Sequence, residues 1–445
     1  MGTLCHQGLI VPKDPEVKKE LTVRANLNAL GFAPPSFKLF REVPNDLIVP
    51  RYYGLSKFGP PTKDSRRTPV GADIGFNGTL RTETCQDRAF AAGVQAFKET
   101  GGGVLSLPCG YGKTCTALAF ASHLKLRTII MVHKEFLVDQ WTEAINKFCP
   151  GSTIGKIQQD TFDVEKDFVL AMIQTMCTRE LPVLDTFGLV IVDEAHHIGA
   201  AAFSQAMFKL CPKYTLGLTA TPERKDGLTR ILYWFLGPQF FAVERQNQHK
   251  TQVEVIMFSD PLYKCAPPMN KFGKVNMADM VTQISELNSR NELILKLIRK
   301  NLQKDRKIIV LCDRREQCFY LKNQIPEKIG GVYLGQMSEG DLAESAKKSV
   351  VIATFAMAAE GLDIPQLDTC ILASPHSDVT QAVGRIMRET AGKKNSPLIY
   401  DIVDKWSMFY AMYKKRCTFY KKSGFEFKNK LEEEKQKVLE ECAFI

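Results

Sequence analysis

The chain has 445 residues, enough for two or three domains, and lysine and arginine outnumber aspartate and glutamate by 59 to 49. The formal net charge of +10 suits a polyanionic partner, although a solvated surface is the ordinary alternative. No apolar run approaches the roughly 18 residues that a membrane span needs, so we exclude a membrane protein.

Thirteen cysteines are scattered along the chain without a C-x-x-C pair. This pattern predicts neither a zinc site nor a disulfide framework. Unpaired thiols in this number are typical of a reducing compartment, and the N-terminus has no apolar segment of the signal-peptide type. We therefore expect an intracellular protein.

Prolines recur through residues 1–70, which argues against long helices there, although 15–30 could form one. We expect this stretch to be a small accessory module, in which 47–54 is a strand leading into a loop and 62–67 is an exposed basic loop. Three residues of the module could touch nucleic acid: Arg51, Tyr52 and Tyr53. The alternative is a structural appendage with the two tyrosines in its core.

From about residue 75 to residue 245, short β-rich runs alternate with helical stretches. The runs that we expect to be strands are 103–107, 128–132, 168–171, 189–192 and 214–218. Alternation at this spacing predicts a doubly wound parallel sheet, which binds ligands at the carboxyl ends of its strands.

The first of these strands runs into a loop made of Pro108, Cys109, Gly110, Tyr111 and Gly112. Lys113 and Thr114 then begin a predicted helix. Backbone N–H groups of such a loop cradle phosphates, Lys113 reaches the β- and γ-phosphates, and the Thr114 hydroxyl joins the shell of a Mg²⁺ ion. Taken alone, the loop could be a chance glycine turn.

The apolar run at 189–192 ends in two adjacent carboxylates, Asp193 and Glu194. A buried parallel strand delivers acids to the rim of a sheet in this way. Asp193 can hold Mg²⁺, and Glu194 can orient or deprotonate the water that attacks a γ-phosphate. Taken alone, this segment could be a helix start, but together with Lys113 it predicts hydrolysis of a nucleoside triphosphate.

A second alternating block follows, with expected strands at 307–312, 331–334, 350–353, 369–373 and 398–401. It has no phosphate loop of its own. We therefore infer an α/β protein with two tandem RecA-like domains and one nucleotide site between them. The predicted segments are the module 1–70, a first domain 71–245, a linker 246–284, a second domain 285–425 with a helix at 405–423, and a charged helix or tail 426–445.

Gln381, Arg385 and Arg388 have the spacing i, i+4 and i+7, so on a helix they share one face. Directed across a cleft, that face offers two guanidiniums to a γ-phosphate, which is the arginine-finger arrangement. The ordinary alternative is a stripe of surface salt bridges.

Three polar residues near predicted strand ends can bind phosphates of a nucleic acid without reading its bases: Lys134, Thr175 and Thr354. Contacts of this kind carry no sequence information, as a translocating machine requires. The basic and aromatic stretch 414–422 could grip a single strand, but a solvated amphipathic helix is the more common explanation.

Six motifs in chain order within residues 80–390 resemble those of superfamily 2 helicases: the loop before Lys113, 132–141, 193–196, 218–222, 352–363 and 381–388. The proline-cysteine-glycine loop, the string 132–141 and the triplet 224–226 are most similar to DEAH-type DNA helicases of the XPB/UvsW-like group. That group includes proteins coded by large DNA viruses, for which the host cytoplasm, the nucleus or the virion is the expected location.

The resemblance implies ATP and Mg²⁺ as cofactors and an ATP-dependent DNA helicase or duplex translocase that moves 3′→5′. It implies that Gln86 reads adenine with Arg81 stacked nearby, although a helix-surface glutamine is the alternative. It further implies that Gly361 and Asp363 contribute contacts between the two domains. Three residues would link loss of the γ-phosphate to domain movement: His196, Thr219 and Thr221.

Several rival functions remain open. An RNA helicase is the nearest, because motor motifs barely distinguish RNA from DNA by its 2′-OH. DEAH-box RNA helicases, however, usually carry C-terminal helical extensions, for which we expect no room in a chain ending at residue 445. A restriction translocase subunit and a non-hydrolysing nucleic-acid-binding scaffold are the others. We expect a monomer whose partner is DNA, as single strand and at duplex junctions, with RNA as the alternative.

Overall fold

A computed structural model describes residues 2–24, 36–108, 110–195, 200–220, 227–243, 251–360, 364–387, 393 and 395–428. Contacts divide the chain into two compact units, Met1–Glu244 and Arg245–Ile445. Each unit has one large sheet, and the first unit carries a five-stranded sheet and a two-stranded sheet as well.

The two smaller sheets and two helices form the accessory module. Its strands are β1 (Thr3–Cys5), β2 (Gly8–Pro12), β3 (Thr22–Val23), β4 (Phe37–Lys38), β5 (Arg41–Glu42), β6 (Asp46–Val49) and β7 (Lys63–Asp64), and its helices are α1 (Pro15–Glu20) and α2 (Arg51–Phe58). The five-stranded sheet has the order β5-β6-β2-β1-β7, and β3 pairs with β4 separately. One hydrophobic cluster joins Leu9 and Leu47 of the module to Val190 and Val192 of the large sheet.

Two expectations for the module need correction. The segment 47–54 is a strand only as far as Val49, because α2 begins two residues later, after Pro50. The helix expected at 15–30 ends at Glu20, and residues 25–35 lie outside the described part of the chain.

The aromatic and basic residues at the start of α2 anchor the module. Tyr52 and Tyr53 are buried, and the Tyr52 hydroxyl lies 2.8 Å from Oγ1 of Thr215. The Arg51 guanidinium donates to the carbonyl oxygen of Lys213 at 2.9 Å. The prediction that these residues touch nucleic acid is wrong, and the alternative that the two tyrosines are core residues is confirmed.

The segment 62–67 is not simply an exposed basic loop. Part of it is β7, and the Arg66 side chain is mostly buried. The guanidinium donates to the carbonyl oxygen of Pro212 at 2.8 Å and to the carboxylate of Asp64 at 2.7 Å. The guanidinium of Arg66 is therefore bound by groups of the protein itself.

The large sheet of the first unit consists of β8 (Gly102–Ser106), β9 (Thr128–Val132), β10 (Ile154–Gln158), β11 (Thr161–Phe162), β12 (Phe168–Met172), β13 (Leu189–Val192), β14 (Tyr214–Thr219) and β15 (Gln239–Ala242). Its order is β11-β10-β12-β9-β13-β14-β8-β15, and every pair except β10–β11 is parallel. All predicted strands are present within one residue at either end, whereas β10, β11 and β15 were not predicted.

Helices of the first unit are α3 (Gln86–Glu99), α4 (Lys113–Leu124), α5 (Glu135–Phe148), α6 (Ile173–Thr178), α7 (Ala200–Met207) and α8 (Thr229–Leu236). Strands β8, β9 and β13 are buried at every residue, as expected for a parallel sheet covered on both faces. Val190 and Val192 contribute to the cluster on one face, and Leu189 and Ile191 to the cluster on the other.

The sheet of the second unit consists of β16 (Gln252–Phe258), β17 (Ile308–Cys312), β18 (Gly330–Tyr333), β19 (Val350–Thr354), β20 (Thr369–Leu372), β21 (Leu398–Asp404) and β22 (Glu426–Phe427). Its order is β18-β19-β17-β20-β21-β16-β22, and all its pairs are parallel. The helices are α9 (Met277–Glu286), α10 (Asn288–Leu302), α11 (Arg315–Asn323), α12 (Glu339–Lys347), α13 (Phe355–Glu360), α14 (Thr380–Ile386) and α15 (Ser407–Lys422).

The predicted linker 246–284 is wrong for much of its length. Strand β16 pairs with β21 along all seven of its residues, from Gln252 beside Leu398 to Phe258 beside Asp404. Helix α9 begins within the same range. Strand β22 likewise extends the sheet past residue 425, and the predicted tail lies outside the described residues from 429 onward.

The basic and aromatic stretch 414–422 belongs to α15, as the helical prediction for 405–423 requires. Arg416 is buried and donates to both carboxylate oxygens of Asp401, at 2.9 and 2.8 Å. The Tyr420 hydroxyl donates to the same carboxylate at 2.9 Å. The prediction of a helix is therefore confirmed, with Arg416 and Tyr420 on its buried side and Lys414 and Lys421 exposed, whereas contact with a single strand is not tested.

Within the described ranges every cysteine is free, and no group of three or more histidine, cysteine, aspartate or glutamate side chains could hold a metal ion. No helix in the described part of the chain is both long and apolar enough to cross a membrane.

Candidate nucleotide site

The candidate phosphate loop follows β8 and ends where α4 begins at Lys113. Gly110 and Gly112 have φ angles of 85° and 80°, a left-handed conformation that a residue with a Cβ rarely adopts. Cys109 lies outside the described residues, and Pro108 and Tyr111 complete the loop. The glycines thus shape the backbone that leads into the helix.

Gln86 is buried against this loop, with 1% of its surface exposed. Its Nε2 donates to the carbonyl oxygen of Tyr111 at 2.9 Å, and its Oε1 accepts from the backbone N–H of Arg81 at 3.1 Å. A Cβ at Gly112 would lie 2.2 Å from Nε2. The amide expected to read adenine therefore also holds the loop, and its adenine contact stays a prediction.

Lys113 and Thr114 occupy the first turn of α4, where unpaired backbone N–H groups and the helix dipole favour anions. The Lys113 Nζ donates to the carbonyl oxygen of Leu107 at 3.1 Å and lies 3.8 Å from Oε1 of Glu194. The ammonium group is thus positioned between the loop and the carboxylates.

Asp193 and Glu194 follow the end of β13 on the same edge of the sheet. Asp193 is 8% exposed, and its Oδ2 accepts from the indole N–H of Trp141 at 2.9 Å. Its Oδ1 accepts from the backbone N–H of Glu194 at 2.9 Å. Both carboxylate oxygens are therefore held in a defined orientation.

The electrostatic environment of Asp193 favours a cation. Burial, and next the negative charge of Glu194, raise the pKa of Asp193 to about 6, although the Trp141 hydrogen bond and the charge of Lys113 lower it. A cation bound here would offset the repulsion between the two neighbouring acids. Glu194 itself has a φ of 45°, an uncommon conformation for a residue with a side chain and one often found at functional turns.

The donor set fits a magnesium nucleotide. Mg²⁺ is usually held by one or two carboxylates together with phosphate oxygens and water, not by a cage of protein ligands. Asp193 and the Thr114 hydroxyl would hold the cation, and Lys113 and the backbone N–H groups of the loop would hold the phosphates. When bound, the cation neutralises charge on the phosphate oxygens.

Strand β14 lies between β8 and β13, so its end separates the loop from the carboxylates. Thr219, its last residue, is buried, and its carbonyl oxygen accepts from the backbone N–H of Leu107 at 3.1 Å. This position suits the predicted coupling role of Thr219, whereas His196 and Thr221 lie outside the described residues. The coupling role stays a prediction.

The two predicted phosphate contacts of the first unit follow neighbouring strands, β9 and β12. Lys134 is the residue before α5, and Thr175 lies on α6, where its Oγ1 accepts from the backbone N–H of Gln159 at 3.1 Å. Gln174 donates to the carbonyl oxygen of His133 at 2.8 Å and ties the two segments together. Thr175 is mostly buried, so Lys134 is the more accessible of the pair.

In the second unit, Thr354 is half-buried at the end of β19, beside Cys312. The backbone of Gln381 and Arg385 is helical in α14, as their spacing predicts. The side chains of these two residues lie outside what the structure describes, as do all of Gly361, Asp363, Arg388 and the triplet 224–226.

Trp141 is the site residue that the sequence did not single out. It lies two turns into α5, which follows β9, and β9 pairs with β13. Its motif contributed Lys134 and the family resemblance, whereas a contact between Trp141 and Asp193 depends on the order of the strands. A fully buried tryptophan in that motif was the available signal, because its N–H must find an acceptor.

Comparison with known proteins decides the family. The model of the Type III restriction enzyme res subunit matches residues 79–224, and that of the helicase conserved C-terminal domain matches 289–390. A protein of Acanthamoeba polyphaga mimivirus, provisionally named an ATP-dependent RNA helicase, is 33% identical over 407 residues, which cover 87% of this chain and 78% of that protein. The chain belongs to the superfamily 2 helicases.

Two further comparisons agree with this placement. A protein of Invertebrate iridescent virus 6, provisionally named a helicase, is 28% identical, and the alignment covers 94% of this helicase and 97% of that protein. The solved structure of an ATP-dependent Type ISP restriction-modification enzyme, LlaBIII bound to DNA, aligns with a TM-score of 0.54 at 17% identity over 76% of this helicase and 29% of that chain. That likeness shows the fold alone.

These findings confirm two RecA-like domains and an ATP-hydrolysing helicase that binds nucleic acid. The rival interpretation as a non-hydrolysing scaffold is therefore wrong. Placement in the XPB/UvsW-like group of DEAH-type helicases stays a prediction.

Proposed function

We propose that this helicase uses Mg²⁺-dependent ATP hydrolysis to move 3′→5′ along DNA and to unwind or remodel duplexes in transcription, replication or repair. The observation that carries the proposal is the cluster at one edge of the first sheet, where Lys113 lies 3.8 Å from Glu194 and Trp141 donates to Asp193 at 2.9 Å. The similarity of the loop and the string 132–141 to XPB/UvsW-like DNA helicases supports DNA as the track, although in the triplet 224–226 Lys225 stands where that group has an acid.

Each residue of the cluster has one task in the proposed reaction. Lys113 holds the β- and γ-phosphates, and Asp193 and Thr114 would hold the cation, which would neutralise charge on the phosphate oxygens. Glu194 orients the attacking water and accepts its proton as the water oxygen bonds to the γ-phosphorus and the bond from that phosphorus to the oxygen of the departing ADP breaks. Two arginines, Arg385 and Arg388, supply positive charge to the transferring group from the second domain.

Trp141 acts on this chemistry through Asp193 as a positioning residue. Its indole N–H fixes one carboxylate oxygen, and partners of this kind hold metal ligands in orientation. Replacing Trp141 by phenylalanine keeps an aromatic ring and removes the donor. We expect Trp141→Phe to raise the Mg²⁺ concentration needed for half-maximal nucleotide binding and turnover by roughly 10-fold, the lower end of such effects.

Titration of Mg²⁺ against binding of a fluorescent ADP analogue measures this effect without relying on turnover. Trp234→Phe is the matched control, because Trp234 lies on α8 with its ring against Tyr53 of the accessory module. An unchanged Mg²⁺ dependence in Trp141→Phe would show that the indole serves packing alone. Additional Mg²⁺ should restore the variant, which it would not do for a misfolded protein.

The motif of Gln381, Arg385 and Arg388 is proposed to complete the site. If Arg388 is the finger, Arg388→Lys keeps the charge but loses the planar fork, so we expect kcat to fall roughly 100-fold, below the 10³–10⁵ attributed to complete fingers. ATP binding in the ground state should change little. Steady-state turnover and nucleotide affinity are measured on the same preparation.

Arg299→Lys, at an exposed position of α10, is the control for this substitution. Near-normal stimulated turnover in Arg388→Lys would remove the finger role and leave Arg385 as the candidate. A large loss of thermal stability would instead favour a structural salt bridge.

The proposed track passes Lys134 and Thr175 in the first domain and Thr354 in the second. All three offer N–H or O–H donors to phosphates and carry no base specificity. RNA is the second candidate substrate, because the mimivirus relative is named for RNA and motor motifs discriminate the 2′-OH poorly.

One comparison separates these substrates. ATP turnover is measured at fixed salt with single-stranded DNA, duplex DNA, forked DNA and RNA of matched sequence. We expect DNA with a single-stranded region to stimulate turnover most, and displacement only from duplexes with a 3′ tail. Stronger stimulation by RNA would overturn DNA as the substrate, and displacement from 5′ tails alone would overturn the direction.

A further inference from the structure

A short hairpin lies between β16 and α9 in the second unit, within the range that the sequence suggested was a linker. Met269 and Val275 form an antiparallel bridge, and the backbone N–H of Asn276 donates to the carbonyl oxygen of Pro268 at 2.7 Å. The backbone N–H of Asn270 donates to the carbonyl oxygen of Lys274, also at 2.7 Å. We call residues 268–276 the Phe272 hairpin.

The turn of the Phe272 hairpin is fixed by its own polar groups. The side-chain oxygen of Asn270 accepts from the backbone N–H groups of Phe272 and Lys274, at 2.9 and 3.1 Å. The N–H of Gly273 donates to the carbonyl oxygen of Asn270 at 2.9 Å, and Gly273 has a φ of 69°. This is the chemistry of a three-residue hairpin turn, in which glycine takes the left-handed position.

The base of the hairpin is anchored on a small hydrophobic core. Val275 packs with Tyr263 against buried residues that include Trp406, and the rings of Tyr263 and Trp406 are 5.2 Å apart. The Tyr263 hydroxyl donates to Asp404 at 2.7 Å. The base of the Phe272 hairpin is therefore fixed to this core, and this contact positions the tip.

The tip itself presents an aromatic ring and positive charge to solvent. Residues 271–274 are all exposed, and Phe272, at 75%, is the most exposed of the large hydrophobic side chains that the structure describes. The Lys271 Nζ lies 5.2 Å from the centre of its ring. The sequence from 261 to 278 contains Lys264, Lys271 and Lys274 and no acidic residue.

We propose that the Phe272 hairpin binds single-stranded nucleic acid, with Phe272 stacked on an unpaired base and Lys271 and Lys274 beside backbone phosphates. The proposal rests on the proposed nucleic-acid motor and adds a contact outside its motifs. Aromatic rings stack on any base, and neighbouring cations track the backbone. A tip of four exposed residues is too small to bury the roughly 800 Å² per partner of a stable protein interface, but it matches one nucleotide.

The test measures binding of the full chain to a single-stranded DNA that carries the fluorescent base 2-aminopurine, and to the same strand as RNA. We expect Phe272→Ala to weaken binding roughly 5- to 150-fold, which corresponds to the loss of one stacked base, and to abolish the change in 2-aminopurine emission. Phe272→Trp should restore both. Replacing Lys271 and Lys274 by glutamate should weaken binding and reduce its salt dependence by about one phosphate contact per lysine.

Phe319→Ala on α11 is the matched control, because Phe319 is also exposed, at 45%. Thermal unfolding confirms that each variant is folded. If the wild-type chain binds and Phe272→Ala binds equally well with unchanged emission, the hairpin proposal is overturned while the motor stands. If the wild-type chain binds neither strand, the proposed motor is overturned and the hairpin proposal with it.

Discussion

Replacing Lys113 by alanine is expected to reduce ATP turnover at least about 100-fold, in line with the removal of one preorganised charge from an active site. The ammonium group lies 3.1 Å from the carbonyl oxygen of Leu107 and 3.8 Å from Glu194, at the first turn of α4. Alanine is the best helix former, so α4 should remain intact. The loss should therefore come from phosphate binding and charge stabilisation, with little change in the unfolding temperature.

Phosphate release and thermal unfolding, measured on the same preparation, separate chemistry from folding. Lys98→Ala, at an exposed position of α3, is the matched control and should hydrolyse ATP like the wild type. Retained turnover in Lys113→Ala would contradict the assignment of the phosphate loop.

Replacing Glu194 by glutamine should separate ATP binding from hydrolysis. Glutamine keeps the shape of the side chain but cannot accept a proton from the attacking water, so we expect kcat to fall at least about 100-fold. The substitution also removes a negative charge 3.8 Å from Lys113, near the place proposed for the γ-phosphate. Affinity for ATP should therefore be unchanged or higher, and nucleic-acid affinity likewise.

A single-turnover experiment shows the difference directly, because ATP should remain bound and uncleaved in Glu194→Gln. Glu143→Gln, at an exposed position of α5, controls for the change of a carboxylate to an amide. A Glu194→Gln protein that no longer binds ATP would show that Glu194 supports the structure of the site and has no part in the chemistry.

The parts of the fold that could be predicted are those specified by local pattern. Strand β13 is a continuous apolar run that ends at a carboxylate pair, and β8 is apolar except for Ser106 and leads into a glycine-containing loop. Strand β16 was missed because Gln252 and Glu254 alternate with its buried valines inside a polar, proline-containing region. Only its pairing with β21 shows that it belongs to the sheet.

The contacts that sequence could not predict are those between distant segments. Arg51 was expected to contact nucleic acid because it is a basic residue beside two tyrosines. In the structure its guanidinium donates to the carbonyl oxygen of residue 213. Gln86 was expected at the nucleotide base, and what the structure shows is a hydrogen bond from its side chain to the loop at Tyr111. Trp141 meets Asp193 only because β9 and β13 are neighbours in the sheet.

Phosphate release from Mg²⁺-ATP tests most directly whether the chain is a nucleic-acid-stimulated ATPase. It is measured for the wild-type chain and for Glu194→Gln purified in the same way, each with and without a saturating single strand. The two RecA-like domains and the cluster of Lys113, Asp193 and Glu194 predict turnover that nucleic acid stimulates and that Glu194→Gln lacks although it still binds ATP. Equal turnover by both proteins, or no turnover by the wild type with any nucleic acid, would contradict this account.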